Sequence, residues 1–432
     1  QNLLTLLRGD GPVPLHLVTA TLKEEVYPKE KVDLHKGRLF YVLDKGVNTV
    51  GRMYLMPLNT YLMEIFPNSK LMVTLNAGSS QWEDLFRKLT VHGKNRVFAA
   101  DQKEYDNRHA VLLPYLSKFY YHLAIKCGYS AADARVCERI MVMAARYLLL
   151  MEGDAFLCAS RLCSGRWDTI IANGIMGCII MLYSYLRAAE DTVIPLEGLD
   201  FFTEIEAFFT GDDNVTGVRE GSHFVPEDYQ RYGEELGYSI TRADKKPGPV
   251  EFESIFAIDY LQRKFEEREG RIWGPLAKKS IYKSLCYFAG RFTPEEYHER
   301  MRGAILCAQR EAFLHGREFF EQLVSETTGY TYSPPPLKYS ELEKEYLEDR
   351  FTTWSTESFR GSSAVDLEIH MLPYDAGGLV AGIPHVLDHQ GSGAPKEARA
   401  SCNVGAIAPS PTHLGLDSFV GPSKLRTTEI TN

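Results

Sequence analysis

The spacing of hydrophobic residues predicts helices over three long stretches of the chain. The stretches 60–95, 111–151 and 275–350 show the apolar periodicity of amphipathic α-helices. Gly128-Tyr129-Ser130 interrupts the second stretch and predicts a break between two helices. A further helix is expected after Ser164-Gly165. Helices therefore account for much of the predicted fold.

Shorter apolar runs have the composition of β-strands. Residues 1–60 mix short β-like runs with basic residues. The run 96–100 ends on Asp101, which predicts a buried strand with a carboxylate at its tip. Two β-prone runs between 206 and 218 flank Gly211-Asp212-Asp213 and predict a hairpin. The pattern as a whole predicts a protein that mixes helices and strands.

Two segments depart from these periodic patterns. The chain from 352 to 432 is rich in Gly, Ser, Ala and Pro and has lost its periodicity, which predicts a disordered tail or polyprotein linker. The uncharged segment Ile170–Leu186 approaches the length of a membrane span. Arg166 and Asp168 precede it and Asn173 interrupts it, so a buried core helix is expected and no transmembrane segment.

Composition and charge add little to this picture. The chain has 432 residues, of which 44% are hydrophobic and 24% charged, enough apolar residues for a large core. Its net charge of -9 does not exclude RNA, because a local basic groove can bind RNA on an acidic protein. The eight cysteines are scattered without a CxxC pair, which predicts a reduced chain with neither a zinc site nor disulfides.

Carboxylates stand at the ends of the predicted strands. Asp101 ends one strand and Asp212 lies at a hairpin tip, so the two meet if these strands are neighbours. Converging aspartates can hold the pair of Mg²⁺ ions that clamps the attacking and leaving oxygens in phosphoryl transfer. A solvated β-turn is the alternative interpretation of Gly211-Asp212-Asp213 by itself.

Two further groups of polar residues narrow the choice. Asp106 follows Asp101 by five positions. After the flexible Ser164-Gly165 pair, Thr169 and Asn173 lie one turn apart on the same face of an otherwise apolar helix. Short polar groups on such a face need partners, or they cost stability.

In this order, these residues resemble motifs A, B and C of the RNA-dependent RNA polymerases of positive-strand RNA viruses, and the picornavirus-like supergroup fits best. The stretch from Tyr238 to Lys245 resembles motif D, Tyr260 to Arg263 resembles motif E, and Lys23 to Arg38 resembles motif F. The resemblance implies an α+β right-hand fold with an antiparallel palm sheet flanked by helices. It suggests fingers at 1–59 and 146–162, palm at 60–145 and 163–268, and thumb at 269–351.

The resemblance also implies a role for each matching residue. Asp101 and Asp212 would bind two Mg²⁺ ions, with Mn²⁺ as an alternative and Asp213 in looser support. Lys245 would reach the leaving pyrophosphate, and Arg263 the phosphates of the primer. Nucleotide binding would fall to Asp106, Ser164, Gly165, Thr169, Asn173 and the basic set Lys23, Lys29, Lys31, Lys36 and Arg38. Within that group, Asp106, Thr169 and Asn173 would read the ribose hydroxyl.

Departures from the motifs leave the metal ligands intact. Thr210 precedes Gly-Asp-Asp where relatives commonly have Tyr, Gln262 replaces a Lys, and Tyr27 fills a position that is often basic. Two alternatives remain: a reverse transcriptase, against which Asp106 and Asn173 argue, and a non-catalytic RNA-binding polyprotein segment, against which Asp101 and Asp212 argue.

The resemblance suggests partners and a location as well. Template and product RNA and nucleoside triphosphates are expected, together with a protein primer and a viral protease that could cut after Gln390. An incidental Gln390-Gly391 in a linker explains that sequence equally well. The expected location is the host cell cytoplasm, at membrane-associated replication complexes. Little precedes Lys23, so a longer N-terminal region that ties fingers to thumb is expected upstream.

Overall fold

The structure is a computed structural model that describes residues 3–23, 27, 29–34, 37–65, 68–73, 75–159, 161–286, 288 and 290–353. Three sequence predictions lie outside this range: Lys36, the tail from 354 onward and the Gln390-Gly391 pair. The side chain of Lys31 is outside it too.

The described residues form an α+β protein, as the hydrophobic pattern predicted. The helices are α1 (Leu3–Arg8), α2 (Lys29–Asp33), α3 (Lys45–Glu64), α4 (Ser80–Leu89), α5 (Leu113–Lys126), α6 (Ala131–Ala145), α7 (Thr169–Asp191), α8 (Phe201–Glu204), α9 (Pro226–Glu235), α10 (Lys278–Ser284), α11 (Pro294–Phe313), α12 (Arg317–Thr327) and α13 (Tyr339–Leu347). The strands are β1 (Leu17–Leu22), β2 (Leu39–Leu43), β3 (Val97–Gln102), β4 (Arg146–Met151), β5 (Asp154–Ala159), β6 (Ile205–Thr210), β7 (Asp213–Val218), β8 (Ile240–Arg242), β9 (Glu266–Arg268) and β10 (Arg271–Trp273).

The first sheet, with strand order β2-β1-β4-β5, joins two distant parts of the chain. Strand β1 pairs antiparallel with β2 and parallel with β4, and β4 pairs antiparallel with β5. The two segments that the sequence assigned to the fingers thus share one sheet. The prediction that the helix continues to 151 was wrong, because 146–151 is strand β4.

The central sheet, with order β6-β7-β3-β8, is antiparallel throughout. The predicted strand ending near Asp101 is β3, and the predicted hairpin is β6–β7. Helices α7 and α4 pack against this sheet. Side chains such as Phe98 and Phe208 are completely buried there, so apolar packing fixes the strands that carry the aspartates.

Helix α7 confirms the prediction of a buried core helix. Among the described helices, it is the one whose length and apolar composition would suit a membrane span. Ile175, Met176 and Ile180 on this helix are at most 4% exposed, and α7 packs against β6 and α9. Its apolar side chains are therefore used for packing inside the protein.

The segment that carries the C-terminal helices α10–α13 is attached at both ends to residues 76–82, the loop before helix α4 and its first turn. At the beginning, Gly274 lies so close to the Trp82 ring that an added Cβ would come within 2.8 Å of it. At the end, the buried Phe351 ring packs on Gly78, and Asn76 Nδ2 donates to Phe351 O at 2.8 Å.

Some predicted domain boundaries fall inside elements of this structure. The boundary at 59 lies within α3, and the boundary at 268 falls at the last residue of β9 and separates that strand from its hairpin partner β10. At the predicted boundary of 352, Arg310 Nε donates to Thr352 O at 2.5 Å. The packed segment therefore includes Thr352.

Asp349 caps helix α4 from this last segment, and its loss should weaken the attachment. The backbone N–H of Ser80 donates to Asp349 Oδ1 at 2.8 Å, and Ser80 Oγ donates to Oδ2 at 3.0 Å. We expect Asp349→Ala to lower the free energy of unfolding by about 1 kcal/mol, the usual cost of a lost N-terminal cap. Asp349→Asn keeps an acceptor oxygen and should lose less. Equal urea midpoints for the parent and the alanine variant would contradict the capping role.

Candidate active site

Asp101 and Asp212 meet at one end of the central sheet. Asp101 is the penultimate residue of β3, and Ala100 beside it pairs with Asn214 of β7. Thr210 pairs with Asp213, so Gly211 and Asp212 form a two-residue turn, with Gly211 at a φ of +64°. This left-handed φ favours glycine at the first turn position. The turn therefore places Asp212 next to the end of β3.

Burial and neighbouring negative charge raise the pKa values of Asp212 and Asp213 at this end of the sheet. Burial, reinforced by the charges of Asp212 and Asp101, raises the pKa of Asp213 to about 7. Burial also raises the pKa of Asp212, and Asp101 adds to the rise. Lys245 Nζ lies 3.6 Å from Asp101 Oδ2 and opposes both shifts. Concentrated negative charge of this kind favours a bound cation.

The donor set fits Mg²⁺ that is shared with a substrate. In the described part of the chain, no three side chains among His, Cys, Asp and Glu converge closely enough to hold an ion by themselves. The expected trio of Asp101, Asp212 and Asp213 is therefore not preformed as a cage. Mg²⁺ in nucleotide sites is usually held by one or two carboxylates together with phosphate oxygens and water, which the pair Asp101 and Asp212 can provide.

Asp106 and Asn173 form the second part of the site. Asp106 lies in the 3₁₀ turn Tyr105–Asn107 after β3, and Asn173 lies on the second turn of α7. Asn173 Nδ2 donates to Asp106 Oδ1 at 2.9 Å. Burial raises the pKa of Asp106, with Asp212 adding to the rise, while the bond from Asn173 opposes it. Both residues therefore lie beside the carboxylates, as the sequence predicted.

His109 is a member of this site that sequence reasoning missed. Its side chain is fully buried, with Nε2 3.0 Å from Asn173 Oδ1 and Nδ1 3.0 Å from the Tyr238 hydroxyl. The available signal was Asn173 itself, since a polar group on an apolar helix face needs a partner. The sequence alone could not say which residue supplied it.

A family model for viral RNA-dependent RNA polymerases matches residues 11–330. The chain belongs to this family. The polymerase is 24% identical over 338 residues to the genome polyprotein of Canine calicivirus (strain 48), a match that covers 75% of the chain and 17% of the polyprotein. It is 24% identical over 319 residues to the replicase polyprotein of Cricket paralysis virus, covering 71% of the chain and 18% of that protein. The chain thus spans less than a fifth of either relative.

A solved structure shows the same fold. The Sicinivirus 3Dpol RNA-dependent RNA polymerase aligns with a TM-score of 0.63 at 15% identity, covering 81% of this chain and 71% of that one. The expected family, the picornavirus-like relationship and the right-hand fold are confirmed. The family is that of the expected enzyme class, the RNA-dependent RNA polymerases, and the reverse transcriptase alternative is not favoured.

The motif B loop of the polymerase is packed tightly against strand β2. A Cβ added at Gly165 would overlap Tyr41 O, so only glycine fits at this close approach. Ser164 Oγ accepts from the Tyr41 backbone N–H at 3.3 Å. The sequence assigned Ser164 and Gly165 to a mobile loop, whereas in this structure they dock the loop on the first sheet.

Thr169, which the sequence assigned to the ribose hydroxyl, donates within its own loop. Its hydroxyl lies 2.9 Å from Arg166 O and 3.2 Å from Cys163 O, the carbonyls of its own loop. A hydroxyl has one hydrogen to donate, and here the loop receives it. Thr169 therefore closes the loop at the start of α7 and is not available to donate to a sugar.

A buried ion pair holds the same loop from within. Arg166 Nε and Nη2 donate to the two Asp168 oxygens at 2.7 Å and 2.6 Å. The side chains are 2% and 0% exposed. The sequence used Arg166 and Asp168 only as evidence against a membrane span, because their pairing depends on burial that the sequence does not show.

Among the members of the predicted basic set whose side chains the structure describes, Arg38 is the one whose charge acts on the carboxylates. Burial raises the pKa values of Asp106 and Asp212, and the positive charge of Arg38 opposes that rise. The backbone N–H of Lys23 donates to Arg38 O at 2.8 Å, which extends the β1–β2 pairing. Lys29 is exposed on α2.

Tyr27 occupies its often-basic position by bridging those two strands. Its hydroxyl donates to Lys23 O at 2.9 Å and accepts from the Arg38 backbone N–H at 3.0 Å. The departure from the motif therefore has a structural use: the tyrosine fixes the backbone that carries Arg38.

Arg263 does not fit the predicted primer contact. Its Nη1 donates to Gly274 O at 2.8 Å and to Glu311 Oε2 at 2.9 Å, and its Nη2 donates to Glu311 Oε1 at 2.6 Å. The side chain is 12% exposed. This bidentate ion pair joins motif E to helix α11, and it leaves the guanidinium unavailable to RNA phosphates.

Thr210, the other departure next to the aspartates, also links elements. Its hydroxyl lies 2.7 Å from the Tyr260 hydroxyl and 2.8 Å from Met72 O. It thereby connects the motif C hairpin with motif E. The Gly211-Asp212 turn follows it directly.

Proposed function

We propose that the polymerase copies RNA into RNA by nucleotidyl transfer at Asp101 and Asp212, with Mg²⁺ as the cofactor. The convergence of these carboxylates at the end of β3 and the β6–β7 turn is the observation that carries the proposal. Bound there, two metal ions would neutralise the phosphates and assist the attacking and leaving oxygens.

The chain's own residues surround this centre with matching charges. Arg38, whose charge reaches Asp106 and Asp212, would bind the triphosphate of the incoming nucleotide through its fork of donors. Lys245, whose ammonium lies 3.6 Å from Asp101, would hold and protonate the leaving pyrophosphate. Lys23 and Lys29 would add positive charge to the nucleotide entry path.

Asp106 and Asn173 would select the sugar. A 2′-hydroxyl both donates and accepts, so a site that reads it needs polar partners of both kinds. Asp106 supplies a carboxylate acceptor, and Asn173 supplies amide hydrogens. Because both groups are largely buried beside the carboxylates, a deoxynucleotide would leave them without this partner.

Removing either group should narrow the preference for ribonucleotides. We expect Asp106→Ala and Asn173→Ala each to lower the ratio of ribonucleotide to deoxynucleotide incorporation roughly 5- to 150-fold, as 1–3 kcal/mol per unpaired group implies. The measurement is kcat/KM for both nucleotides on a primed RNA template. Asn107→Ala, an exposed neighbour on the same turn, is the matched control and should keep the parent ratio.

The outcome of that assay also separates the competing functions. An RNA-dependent RNA polymerase extends with ribonucleotides on RNA, whereas a reverse transcriptase prefers deoxynucleotides. If the parent prefers deoxynucleotides, the proposed function is wrong. If the parent prefers ribonucleotides and both alanine variants keep its ratio, the function stands but these residues do not read the sugar.

The remaining partners are proposed on the family resemblance. Template and product RNA and nucleoside triphosphates follow from the polymerase class. We also propose release from a polyprotein by a viral protease, priming by a protein, and action at membrane-associated replication complexes in the host cytoplasm. Protease digestion of nascent product tests the priming, because an RNA with a protein at its 5′ end changes its gel mobility on digestion and a free RNA does not.

A further inference from the structure

Four side chains next to the active site form a continuous chain of hydrogen bonds. Tyr238 bonds to His109, His109 to Asn173, and Asn173 to Asp106, at 3.0, 3.0 and 2.9 Å. Tyr238, His109 and Asn173 are 2%, 0% and 6% exposed. Tyr105 encloses the chain: its ring lies edge-on to His109 with the centroids 4.5 Å apart, and its hydroxyl donates to Asn173 O at 3.1 Å.

The direction of every bond in this chain follows from its last member. A carboxylate accepts only, so the amide nitrogen of Asn173 must face Asp106 and its oxygen must face His109. The His109 Nε2 must then carry the ring hydrogen and donate. Burial lowers the pKa of His109 to about 4, which keeps the ring neutral with a single N–H. His109 Nδ1 therefore accepts from the Tyr238 hydroxyl.

We propose that His109 and Tyr238 are positioning residues that fix the Asn173 carboxamide, and thereby set the polymerase's preference for ribonucleotides. The inference rests on the proposed function of Asp106 and Asn173. Neither positioning residue needs to touch the nucleotide. They act because Tyr238 sets the His109 tautomer and His109 presents a donor to Asn173 Oδ1.

The physical reason is the cost of an unpaired buried oxygen. Asp106 alone favours the observed orientation of the amide, but without His109 the Asn173 oxygen would lie buried with no donor. The carboxamide would then turn to find one, and its second amide hydrogen would leave the direction that a 2′-hydroxyl requires. Within the described residues, no hydrogen bond reaches Asp106 Oδ2, which leaves that oxygen for the nucleotide.

The test compares three variants that alter the donors in different ways. His109→Leu removes the donor, and the ribonucleotide to deoxynucleotide ratio of kcat/KM should fall on the order of tenfold. His109→Gln replaces the ring N–H with an amide N–H and should stay within about threefold of the parent. Tyr238→Phe keeps the ring but frees His109 to change tautomer, so the ratio should fall by an intermediate amount, about threefold to tenfold.

Tyr232→Phe is the matched control. Like Tyr238→Phe, it removes a tyrosine hydroxyl that bonds to a residue of α7, since the Tyr232 hydroxyl donates to Asp191 Oδ2 at 2.7 Å. Asp191 lies at the other end of the helix, roughly 27 Å from Asn173 at 1.5 Å per residue. This variant should lose stability without any change in the sugar ratio.

The outcomes separate three explanations. If His109→Leu and Tyr238→Phe lower the melting temperature but keep the parent ratio, their role is structural and the proposal is overturned. If the sugar ratio of His109→Gln falls as far as that of His109→Leu, a hydrogen-bond donor at this position does not set the preference. That result also overturns the proposal. If His109→Leu does not fold, Tyr238→Phe and His109→Gln decide. A parent that incorporates no ribonucleotide on RNA would instead contradict the proposed function itself.

Discussion

Replacing Asp101 or Asp212 with alanine is expected to lower RNA-templated nucleotide incorporation by about a thousandfold or more. Each substitution removes a carboxylate from a site whose ions supply several kcal/mol of charge stabilisation in the transition state, and about 4 kcal/mol corresponds to that factor. Single-turnover extension of a labelled RNA primer measures the loss. Incorporation by either variant within tenfold of the parent would remove that residue from the metal site.

The same variants should not unfold the protein. The pKa of Asp212 is raised by burial and by Asp101, so its ionised form is disfavoured in the fold when no metal is present. Removing the charge at neutral pH relieves that repulsion, and the melting temperature without metal should stay the same or rise. Asp84→Ala, on the exposed face of α4, is the control for the loss of an ordinary surface aspartate. It should keep full activity.

Breaking the buried pair of Arg166 and Asp168 is expected to have the largest effect on stability. Asp168→Ala leaves a guanidinium that is 2% exposed without its counter-ion, and such losses cost about 3–5 kcal/mol. Urea denaturation should therefore show a much lower midpoint. Glu190→Ala, which breaks the more exposed pair with Arg187 on the same helix, should leave the urea midpoint close to that of the parent, because solvent screens such a pair.

A double variant distinguishes the effect of the unpaired charge on stability from the effect of lost side-chain packing. Arg166→Met combined with Asp168→Leu removes both ions, and well-packed apolar replacements of a buried pair are often neutral or stabilising. We expect the double variant to recover most of the stability that Asp168→Ala loses. If it remains as unstable as the single variant, the loop depends on these side chains for more than mutual neutralisation. Its incorporation rate then shows whether the polymerase needs the ion pair to shape the Ser164-Gly165 loop.

The parts of the site that the sequence predicted are those encoded by neighbouring residues. Strand β3 and the turn at Gly211-Asp212 follow from a short apolar run and a local turn signal, and both are present. The break at Gly128 is equally local and separates α5 from α6. The placement of Asn173 follows from helical spacing alone.

The parts that it missed depend on contacts between distant residues. The run 146–151 is apolar without a period, so only its pairing with β1, far upstream, makes it a strand. Arg263 was assigned to the primer because nothing near it in the sequence reveals Glu311. His109 could not be connected with Asn173 for the same reason.

Residues 76–82, which comprise the loop before helix α4 and its first turn, hold both ends of the segment that carries α10–α13, through Trp82 on Gly274 and through Gly78 on Phe351. A segment that is attached at a single point can rotate about that point in a hinge motion. A segment that is attached at two points cannot rotate in this way, because rotation about one attachment breaks the contacts at the other. Large excursions of these helices therefore require Asp349 to leave Ser80 or the Phe351 ring to leave its site. We therefore expect helices α10–α13 to keep a constant position relative to the start of helix α4.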